Sequence, residues 1–365
     1  MNWIVIMAMA LILTSCSNEE AHTSYRVKLD ENTLYDDAFF LLGRGADRVM
    51  DLVVWTTYSD TATVYDLHSG QMASRCKRVA TSTHGGGPIS GIWYDNNSAT
   101  YYVMSNKSMT LIRYNCSFQY ISTQSLQPCT DTYGNPYGIA IPFVVQNNTL
   151  YCAISASAAL PQYMDYPCVG RYDIARQAWT TVSSYPLDMR NTDPCFYFPF
   201  IVSDPSNVLS PLLVSFRSSL SFEYISNGTR SYSSSIKGVS DYRFPRIQGQ
   251  QSAIEEQQTL VTHPRVLQVY RWKDRLAFMI YKGQPLRSRE GELNDVARGP
   301  VDICYTTLQG ELLSRHTYDS GEIDSREQYS SQLDNTIYAI IRDSTHNGQA
   351  HLTIKPLFLI DSSDS

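Results

Sequence analysis

The chain has 365 residues, of which 43% are hydrophobic and 18% are charged, and its formal net charge is −6. The hydrophobic fraction is enough for a substantial core, while the charged fraction is low for a helical cytosolic protein. A net negative chain without a Lys/Arg-rich run lacks the electrostatic footprint of a nucleic-acid-binding protein. We therefore expect no nucleic-acid partner.

The N-terminus has the pattern of a lipoprotein signal peptide. An uncharged apolar run from Trp3 to Leu13 is too short to span a bilayer as a mature helix and is typical of a secretory signal. The stretch Leu13-Thr14-Ser15-Cys16 resembles the bacterial lipobox, in which the cysteine is acylated and becomes the mature N-terminus. The sequence thus predicts a signal peptide at residues 1–15 and lipid attachment at Cys16.

This assignment predicts how the rest of the chain is organised. Residues 16–23 form a lipidated tether, and residues 24–365 form a single domain. Acyl chains on one residue can anchor a protein without a membrane-spanning segment. We therefore expect an outer-membrane lipoprotein, on the cell surface or on the periplasmic face, and we expect a monomer.

The remainder of the chain has a β composition. Short runs rich in Val, Ile, Thr, Tyr and Phe recur between clusters of Gly, Asn, Asp and Ser, and helical periodicity is scarce. The runs group into six units joined by turns. In chain order these units begin with "LVVWTTYS", "GIWYDN", "IAIPFVVQ", "YFPFIVS", "RVLQVYRW" and "QYSSQLD". Units two to five have four predicted strands each, and the first and last have three.

The repetition of these units predicts a β-propeller. The third strands "VYDLHSG", "IRYNCSF", "GRYDIAR" and "CYTTLQG" each place an aromatic residue just before a polar turn. A four-stranded antiparallel unit cannot bury both faces alone, so the units stack around an axis. The stretch "SYRVKLD", from Ser24 to Asp30, stands alone near the mature N-terminus. We predict an all-β, six-bladed propeller of four-stranded antiparallel blades, in which this N-terminal strand completes the last blade and leaves no long edge.

Two segments have less regular patterns. The stretch from Glu31 to Met50, ahead of the first unit, is compatible with a connecting strand or with a short helix. The stretch from Ser252 to Leu260 is the strongest helix candidate, and we expect it to be an excursion between blades and not a second domain.

The run of three glycines after His84 has two interpretations. A His-Gly-Gly-Gly run can supply backbone N–H donors to an oxyanion in esterases, but those enzymes also need a Gly-x-Ser-x-Gly nucleophile elbow, which is absent from the sequence. The alternative is steric, since Gly85 to Gly87 permit positive φ and close backbone approach before Pro88 starts the next strand. We favour the steric interpretation.

Other titratable residues do not predict catalysis, a cofactor or a metal. The seven histidines form no His-x-x-x-His or His-x-His pair, although His346 and His351 could face each other across a hairpin. The adjacent carboxylates Asp36-Asp37 and Glu255-Glu256 would point to opposite faces of a strand. The sequence therefore predicts no catalytic, cofactor-binding or metal-binding residue.

Seven cysteines remain besides Cys16, so at least one is unpaired. Cys116 and Cys129, and Cys152 and Cys168, are the nearest pairs in sequence. Disulfides are possible in an exported chain, but we favour buried thiols that pack as small hydrophobic side chains.

The order of these weak motifs resembles a known group of proteins. The stretch "GGGPISGIWYDNNSATYYVMSNKSMTLIRYN", followed by "YGIAIPFVVQNNTLYCAIS" and "VLQVYRWKDRLAFMIYKG", is similar to Bacteroidota lipoproteins with a TolB-like six-bladed propeller, one family of which is classified as a domain of unknown function. In that family an acidic residue commonly precedes the Gly-Pro, where this chain has His84 to Gly87. The resemblance implies the fold and a cell-surface lipoprotein, and it implies no established reaction.

Two functions from different classes fit this sequence. The first is a non-catalytic module that presents loops and a central funnel to a glycan, a peptide or an envelope protein, because Tyr and Trp combine an apolar face with a polar edge. The second is a carbohydrate-active enzyme, a lyase or a glycoside hydrolase, whose acid and base meet only in the folded funnel. We favour the binding module because the sequence contains no catalytic constellation.

Overall fold

A computed structural model confirms the six-bladed β-propeller. It describes residues 24–29, 38–45, 50–56, 59–68, 72–73, 76–131, 135–156, 166–186, 189, 199–207, 209–244, 252–326, 330–346 and 349–359. The strands form six sheets, one for each blade. The predicted signal peptide, Cys16 and the tether lie outside the described residues. Within the described part of the chain, no helix has the length and apolar character needed to cross a membrane.

In each blade the inner strand lies next to the propeller axis and the later strands follow outward. The strands, from inner to outer, are β2 (Ala38–Arg44), β3 (Met50–Thr56), β4 (Thr61–Leu67) and β6 (Cys76–Ala80) in blade 1; β7 (Gly91–Asp95), β8 (Thr100–Ser105), β9 (Thr110–Asn115) and β10 (Tyr120–Ser125) in blade 2; β11 (Gly138–Gln146), β12 (Thr149–Ser155), β13 (Pro167–Asp173) and β14 (Ala178–Ser184) in blade 3; β15 (Pro199–Val202), β16 (Leu212–Phe216), β17 (Ser219–Ser226) and β18 (Thr229–Ser235) in blade 4; β19 (Arg265–Trp272), β20 (Arg275–Tyr281), β21 (Val301–Thr307) and β22 (Leu312–Tyr318) in blade 5; and β23 (Ser330–Leu333), β24 (Thr336–His346), β25 (Gln349–Leu359) and β1 (Tyr25–Lys28) in blade 6.

The N-terminal strand closes the ring, as predicted. Strand β1 pairs antiparallel with β25, with Val27 opposite Leu352. It also pairs in parallel with β5 (Met72–Ala73), which the sequence did not predict. The stretch "QMASRCKRV", which the sequence pattern of the first unit predicts as its last strand, therefore contributes two strands: β5 lies at the edge of blade 6, and β6 lies in blade 1. Blade 6 is thus covered on its outer edge.

Hydrophobic clusters fill the interfaces between neighbouring blades. Because successive side chains of a strand point to opposite faces, one strand contributes to two interfaces. Ile201 packs between blades 3 and 4, while Phe200 packs between blades 4 and 5. Val266 likewise belongs to the interface of blades 4 and 5, and Leu267 to that of blades 5 and 6. This two-sided burial explains why the units must stack in a ring.

The aromatic residue before the third turn of each unit is a core residue. Tyr65, Tyr114, Tyr172 and Tyr305 are all at most 3% exposed. Tyr224 has a comparable buried position in the third strand of blade 4. The sequence pattern missed it because the residues around Tyr224 differ from the motif of the other units. The repeated aromatic is therefore a packing signal and not a ligand-binding signal.

Both less regular segments have a definite structure. The stretch before the first unit contains β2, the inner strand of blade 1, so the strand alternative is correct over Ala38–Arg44. The expected helix is confirmed as α1 (Ala253–Thr262), and Ser252 and Glu255 cap its N-terminus reciprocally as a capping box. The helix lies in the connection between blades 4 and 5.

The two faces of the propeller differ in the length of their loops. We call the face where the inner strands begin the loop face, and the opposite face the turn face. The long connections 236–264 and 282–300 both lie on the loop face. The turn face contains short hairpins, such as the two-residue turn Asn227-Gly228, where both residues have positive φ. Long loops on one face of a rigid scaffold are a common place for binding sites.

A buried carboxyl in blade 1 makes stability depend on pH. Asp51 is 3% exposed, and burial, together with the negative charge of its cross-strand neighbour Asp66, raises the pKa of Asp51 to about 7. The Tyr101 hydroxyl, which donates to Asp51 at 3.2 Å, opposes this shift. The pKa of Asp51 is higher in the folded chain than in the unfolded chain, so the folded chain holds this proton more tightly. The contribution of Asp51 to the unfolding free energy is therefore greatest at acidic pH and is lost as the pH rises towards 7.

We expect Asp51→Asn to flatten this pH profile. Between pH 5 and pH 8 the ionisation of Asp51 costs the wild-type chain up to about 3 kcal/mol of unfolding free energy. The variant should be more stable than the wild type at pH 8, with a smaller difference at pH 5, in urea unfolding at both pH values. Asp66→Asn should give part of this effect. Equal pH profiles for wild type and Asp51→Asn would contradict the assignment.

Candidate functional site

A cavity of about 720 Å³ runs along the propeller axis. Its walls include residues from the inner strands of all six blades, β2, β7, β11, β15, β19 and β23. The inner strands line it because both faces of each strand pack on neighbouring blades, so the edge of the strand borders the axis, and successive residues such as Phe39 to Leu42 all reach the wall. Cavities of this size accommodate small organic molecules.

The wall of this cavity is mainly aromatic and aliphatic. Phe39 and Trp55, on adjacent strands of blade 1, stack with their ring centroids 5.7 Å apart. The other aromatic residues on the wall are Phe40, Trp93, Tyr94, Phe143, Phe200 and Tyr270. Aromatic rings present large apolar faces at low conformational cost, so the wall is suited to the flat rings of a ligand.

A few polar groups lie at the loop-face end of the cavity. Among the described residues, neither the indole Nε1–H of Trp55, a residue only 6% exposed, nor the Oδ1 of Asn106 has a hydrogen-bond partner. The Nδ2 of Asn106 donates to the carbonyl of Ile139. Arg217 follows β16, and its Cζ lies 5.5 Å from the centroid of the Phe200 ring.

The tyrosines of the cavity remain neutral at physiological pH. Burial raises the pKa of Tyr94 to about 12, and its hydroxyl donates to the carbonyl of Arg44 at 3.3 Å. Burial also raises the pKa of Tyr270, whose hydroxyl donates to Ser330 Oγ at 2.7 Å. Phenols with raised pKa values are poor proton donors and poor bases near pH 7. Their contribution to the cavity is shape and hydrogen bonding.

The glycine run lies outside this cavity, in the connection between blades 1 and 2. His84 stacks on Tyr120 with centroids 4.1 Å apart, and its carbonyl accepts from Thr123 Oγ1 at 2.8 Å. Gly85 has φ +79° and ends a short 3-10 turn. A Cβ on Gly86 would lie 2.6 Å from Ile112 Cδ1. The steric interpretation is confirmed.

We expect Gly86→Val to destabilise the fold. The added Cβ would also lie 2.9 Å from Thr81 Cβ, and we expect a loss of about 1–3 kcal/mol of unfolding free energy from overpacking. Gly85→Asn is the matched control, because a Cβ there meets no atom within 4 Å and Asn tolerates the left-handed region. Chemical denaturation should separate the two variants, and equal losses would contradict the steric account.

The described cysteines are free thiols. Cys129, Cys152, Cys168 and Cys304 are buried, and Cys116 is partly exposed. The expectation of buried thiols is thus confirmed for four residues, and neither Cys116/Cys129 nor Cys152/Cys168 forms a disulfide. Burial raises the pKa of Cys129 to about 12, so this thiol is unreactive. The side chains of the other cysteines lie outside the described part of the chain.

The remaining sequence candidates do not converge. Strands β24 and β25 form the expected hairpin, but His351 pairs with Asp343, and His346 with Gln349. Glu255 belongs to the helix cap of α1. Asp36-Asp37 lie outside the described residues. Where the structure describes the chain, no group of three or more His, Cys, Asp or Glu side chains could hold a metal ion.

Two buried carboxylates away from the cavity were not predicted. Glu223, 3% exposed, accepts from Ser183 Oγ and lies 2.7 Å from Arg230 Nε. This contact joins β14 of blade 3 to β17 of blade 4. Burial raises the pKa of Glu223. Asp302 is fully buried beneath Arg315 in blade 5. Both carboxylates are enclosed between strands, so they stabilise the blades and do not meet a substrate.

The sequence predicted a central funnel but not the residues that line it, although one signal for them was available. Phe39, Trp93, Phe143 and Phe200 all occur in the inner strand of their blades, although Phe39 precedes the first unit predicted from the sequence. In a propeller the first strand is the inner one, so an excess of aromatic residues there indicates an aromatic channel. Trp55 and Arg217 could not be found this way, because they come from a second strand and from a turn.

Comparisons with known proteins support the fold. No protein-family model matches the chain, and no curated protein matches it. A solved structure of a DUF4221 family member from Bacteroides vulgatus is 11% identical, with a TM-score of 0.66, and the alignment covers 92% of this chain and 97% of that one. A protein from Bacteroides fragilis is also 11% identical, with a TM-score of 0.50 and coverage of 92% and 95%. At this identity the likeness establishes a shared architecture.

Proposed function

We propose that the chain is a cell-envelope lipoprotein whose propeller binds a ligand in the axial cavity without catalysing a reaction. The cavity is the observation that carries this proposal. It combines a volume of about 720 Å³, an aromatic wall and several polar side chains, which include Asn106 and Arg217 at the loop-face end. This combination is typical of small-molecule binding sites. The long connections 236–264 and 282–300 lie on the same face of the propeller as Asn106 and Arg217.

The geometry favours binding over carbohydrate chemistry. A glycoside hydrolase needs two carboxyl groups that flank the scissile bond. Among the described residues that line the cavity, the ionisable side chains are Arg217, Tyr94 and Tyr270. Burial raises the pKa of both tyrosines, which makes them ineffective as acid or base. The second candidate, a lyase or glycoside hydrolase, therefore has less support.

Binding can be tested with a neutral fluorescent probe, N-phenylnaphthylamine (NPN), whose emission increases in apolar surroundings. A chain that begins at Ser17 is suitable because it keeps every described strand. We expect saturable binding of one molecule per chain. Val202→Trp places an indole on the cavity wall and should weaken binding by about tenfold or more. Leu313→Trp, on the exposed outer strand of blade 5, is the matched control.

Two results would contradict the proposed function. The first is an NPN signal that Val202→Trp and the control change equally, because the probe would then bind elsewhere. The second is the appearance of new reducing ends or unsaturated products when the purified chain is incubated with a panel of polysaccharides, because that would demonstrate an enzyme.

The lipid anchor is tested separately. The full chain expressed in a bacterium with labelled palmitate should incorporate the label and sediment with membranes. Cys16→Ser should abolish both, whereas Cys116→Ser, a change at a partly exposed thiol of the propeller, should affect neither. Label retained in Cys16→Ser would contradict the anchor.

A further inference from the structure

A few side chains of the inner strands are exposed to the axial cavity. Both faces of an inner strand pack on neighbouring blades, so the exposed surface of a side chain within such a strand lies on the axis. Among the described residues, the partly exposed side chains of this kind that line the cavity are those of Phe39, Leu41, Trp93, Val202, Gln268 and Gln332. A ligand on the axis contacts these side chains directly.

These six side chains give the cavity an apolar side and an amide side. The four apolar ones belong to blades 1, 2 and 4, whereas Gln268 and Gln332 belong to the adjacent blades 5 and 6. In a ring of six blades, blade 5 lies opposite blade 2. Gln268 and Trp93, each near the middle of its inner strand, therefore lie on opposite sides of the axis.

The two glutamines differ in the hydrogen bonds that they can offer a ligand. The Nε2 of Gln332 donates to the backbone carbonyls of Arg271 at 2.9 Å and Asp334 at 2.7 Å, which fixes the amide and leaves its Oε1 as an acceptor. The side-chain amide of Gln268 makes no hydrogen bond within the described part of the chain. Gln268 thus has a donor and an acceptor available, and Gln332 has an acceptor.

The chemistry of this side of the cavity matches an amide-like ligand edge. The carboxamide of Gln268 has its donor and acceptor side by side, and a ligand N–H next to a carbonyl satisfies both. An entirely apolar ligand would cover this amide without giving it a partner, at a cost in free energy. On blades 5 and 6 the described lining residues carry no charge, so a neutral edge suits them. On the opposite side, the indole of Trp93 presents an apolar face to a flat ring.

We propose that the axial cavity selects neutral lactam-type ligands: ring compounds with an apolar face and one edge that carries an N–H beside a carbonyl. The ligand N–H donates to Gln268 Oε1, and the ligand carbonyl accepts from Gln268 Nε2. The rings pack against Trp93 and the aromatic wall. The inference rests on the proposed function, because it specifies the ligand class of the same cavity.

A matched pair of neutral probes tests this preference. Phenanthridinone carries a lactam edge, and N-methylphenanthridinone has the same rings and carbonyl without the N–H. Displacement of NPN from the chain that begins at Ser17 measures both affinities. We expect phenanthridinone to bind about tenfold more tightly, because the methylated compound leaves Gln268 Oε1 without a donor. Val202→Trp should weaken binding of both probes.

Variants on the two sides of the cavity test which residues give the preference. Gln268→Leu removes the amide at similar size, so the two probes should then bind with nearly equal affinity. Gln258→Leu, at an exposed position of α1, is the matched control and should leave the preference unchanged. Trp93→Leu should weaken both probes several-fold without changing the ratio of their affinities, because Trp93 contacts the rings and not the lactam edge.

The outcomes separate the two proposals. If NPN binds but phenanthridinone displaces it no better than the methylated compound, or if Gln268→Leu retains the preference, the lactam inference is wrong and the binding cavity remains. If NPN does not bind to the wild-type chain, the binding function itself is wrong and the inference fails with it. Melting temperatures of the variants verify that each one is folded.

Discussion

Val27→Asp is expected to unfold the propeller or to lower its unfolding free energy by about 4 kcal/mol or more. Val27 is fully buried and lies between Leu352 of β25 and Ala73 of β5 in the strand pairing. A carboxylate at this position would be removed from water without a partner. Because β1 is the strand that joins the two ends of the chain, its loss would also leave blade 6 with an open edge.

The control for this variant is on the same strand. Arg26 is exposed, so Arg26→Asp changes charge without placing it in the core, and we expect a change within about 0.5 kcal/mol. Guanidinium unfolding followed by fluorescence gives both values. A Val27→Asp chain as stable as Arg26→Asp would show that the N-terminal strand does not hold the ring closed.

Asp302→Asn is expected to have the second largest effect, a loss of about 3–5 kcal/mol. Asp302 is fully buried, and it accepts from Arg315 Nε at 2.9 Å and from Thr317 Oγ1 at 2.7 Å. Tyr242 also donates to it, and Lys282 Nζ lies 3.6 Å away. Asn would leave the Arg315 guanidinium without its buried counter-charge. The contacts join blade 5 to the connection from blade 4, so we expect that connection to loosen first.

Asp241→Asn provides a matched control, because Asp241 contacts the same arginine. Its side chain is 53% exposed and lies 2.8 Å from Arg315 Nη2. Exposed ion pairs of this kind contribute at most about 1 kcal/mol to the unfolding free energy. Similar losses for Asp302→Asn and Asp241→Asn would contradict a special role for the buried carboxylate. Hydrogen exchange of blade 5 would show where the structure loosens.

Most of the fold could be predicted because the strands and turns of a propeller are local signals. The two-residue turn Asn227-Gly228 and the alternation of buried and exposed residues in β1 are visible in the sequence itself. Strand β2 was harder to assign. Its residues "AFFLLGR" are apolar at successive positions, and Phe39 to Leu42 all border the cavity, so the usual polar alternation is missing.

The pairing of β5 with β1 was not predictable from local pattern. Met72 and Ala73 leave blade 1 to meet Arg26 and Val27, which are nearly fifty positions earlier in the chain. Such a contact depends on how blades 1 and 6 are placed around the ring. Asp302 and Arg315 could have been found from the hairpin register, because Arg315 lies opposite Cys304, two residues from Asp302.

The residues of the candidate site could not be predicted from the sequence for a related reason. Trp55 and Arg217 are 162 positions apart in the sequence, and they meet the same cavity only because blades 1 and 4 surround a common axis. The aromatic residues of the inner strands are detectable in the sequence, but their position around a common axis follows from the packing of the blades. A site whose side chains come from six separate blades therefore forms only in the folded ring.

The central claim, that the axial cavity is the ligand-binding site, is tested most directly by a crystal structure of the chain with NPN bound. We predict the aromatic rings of NPN against the Phe39–Trp55 stack. An empty axial cavity, with NPN bound instead beside the blade 5 insertion around Leu293 and Arg298, would contradict the claim.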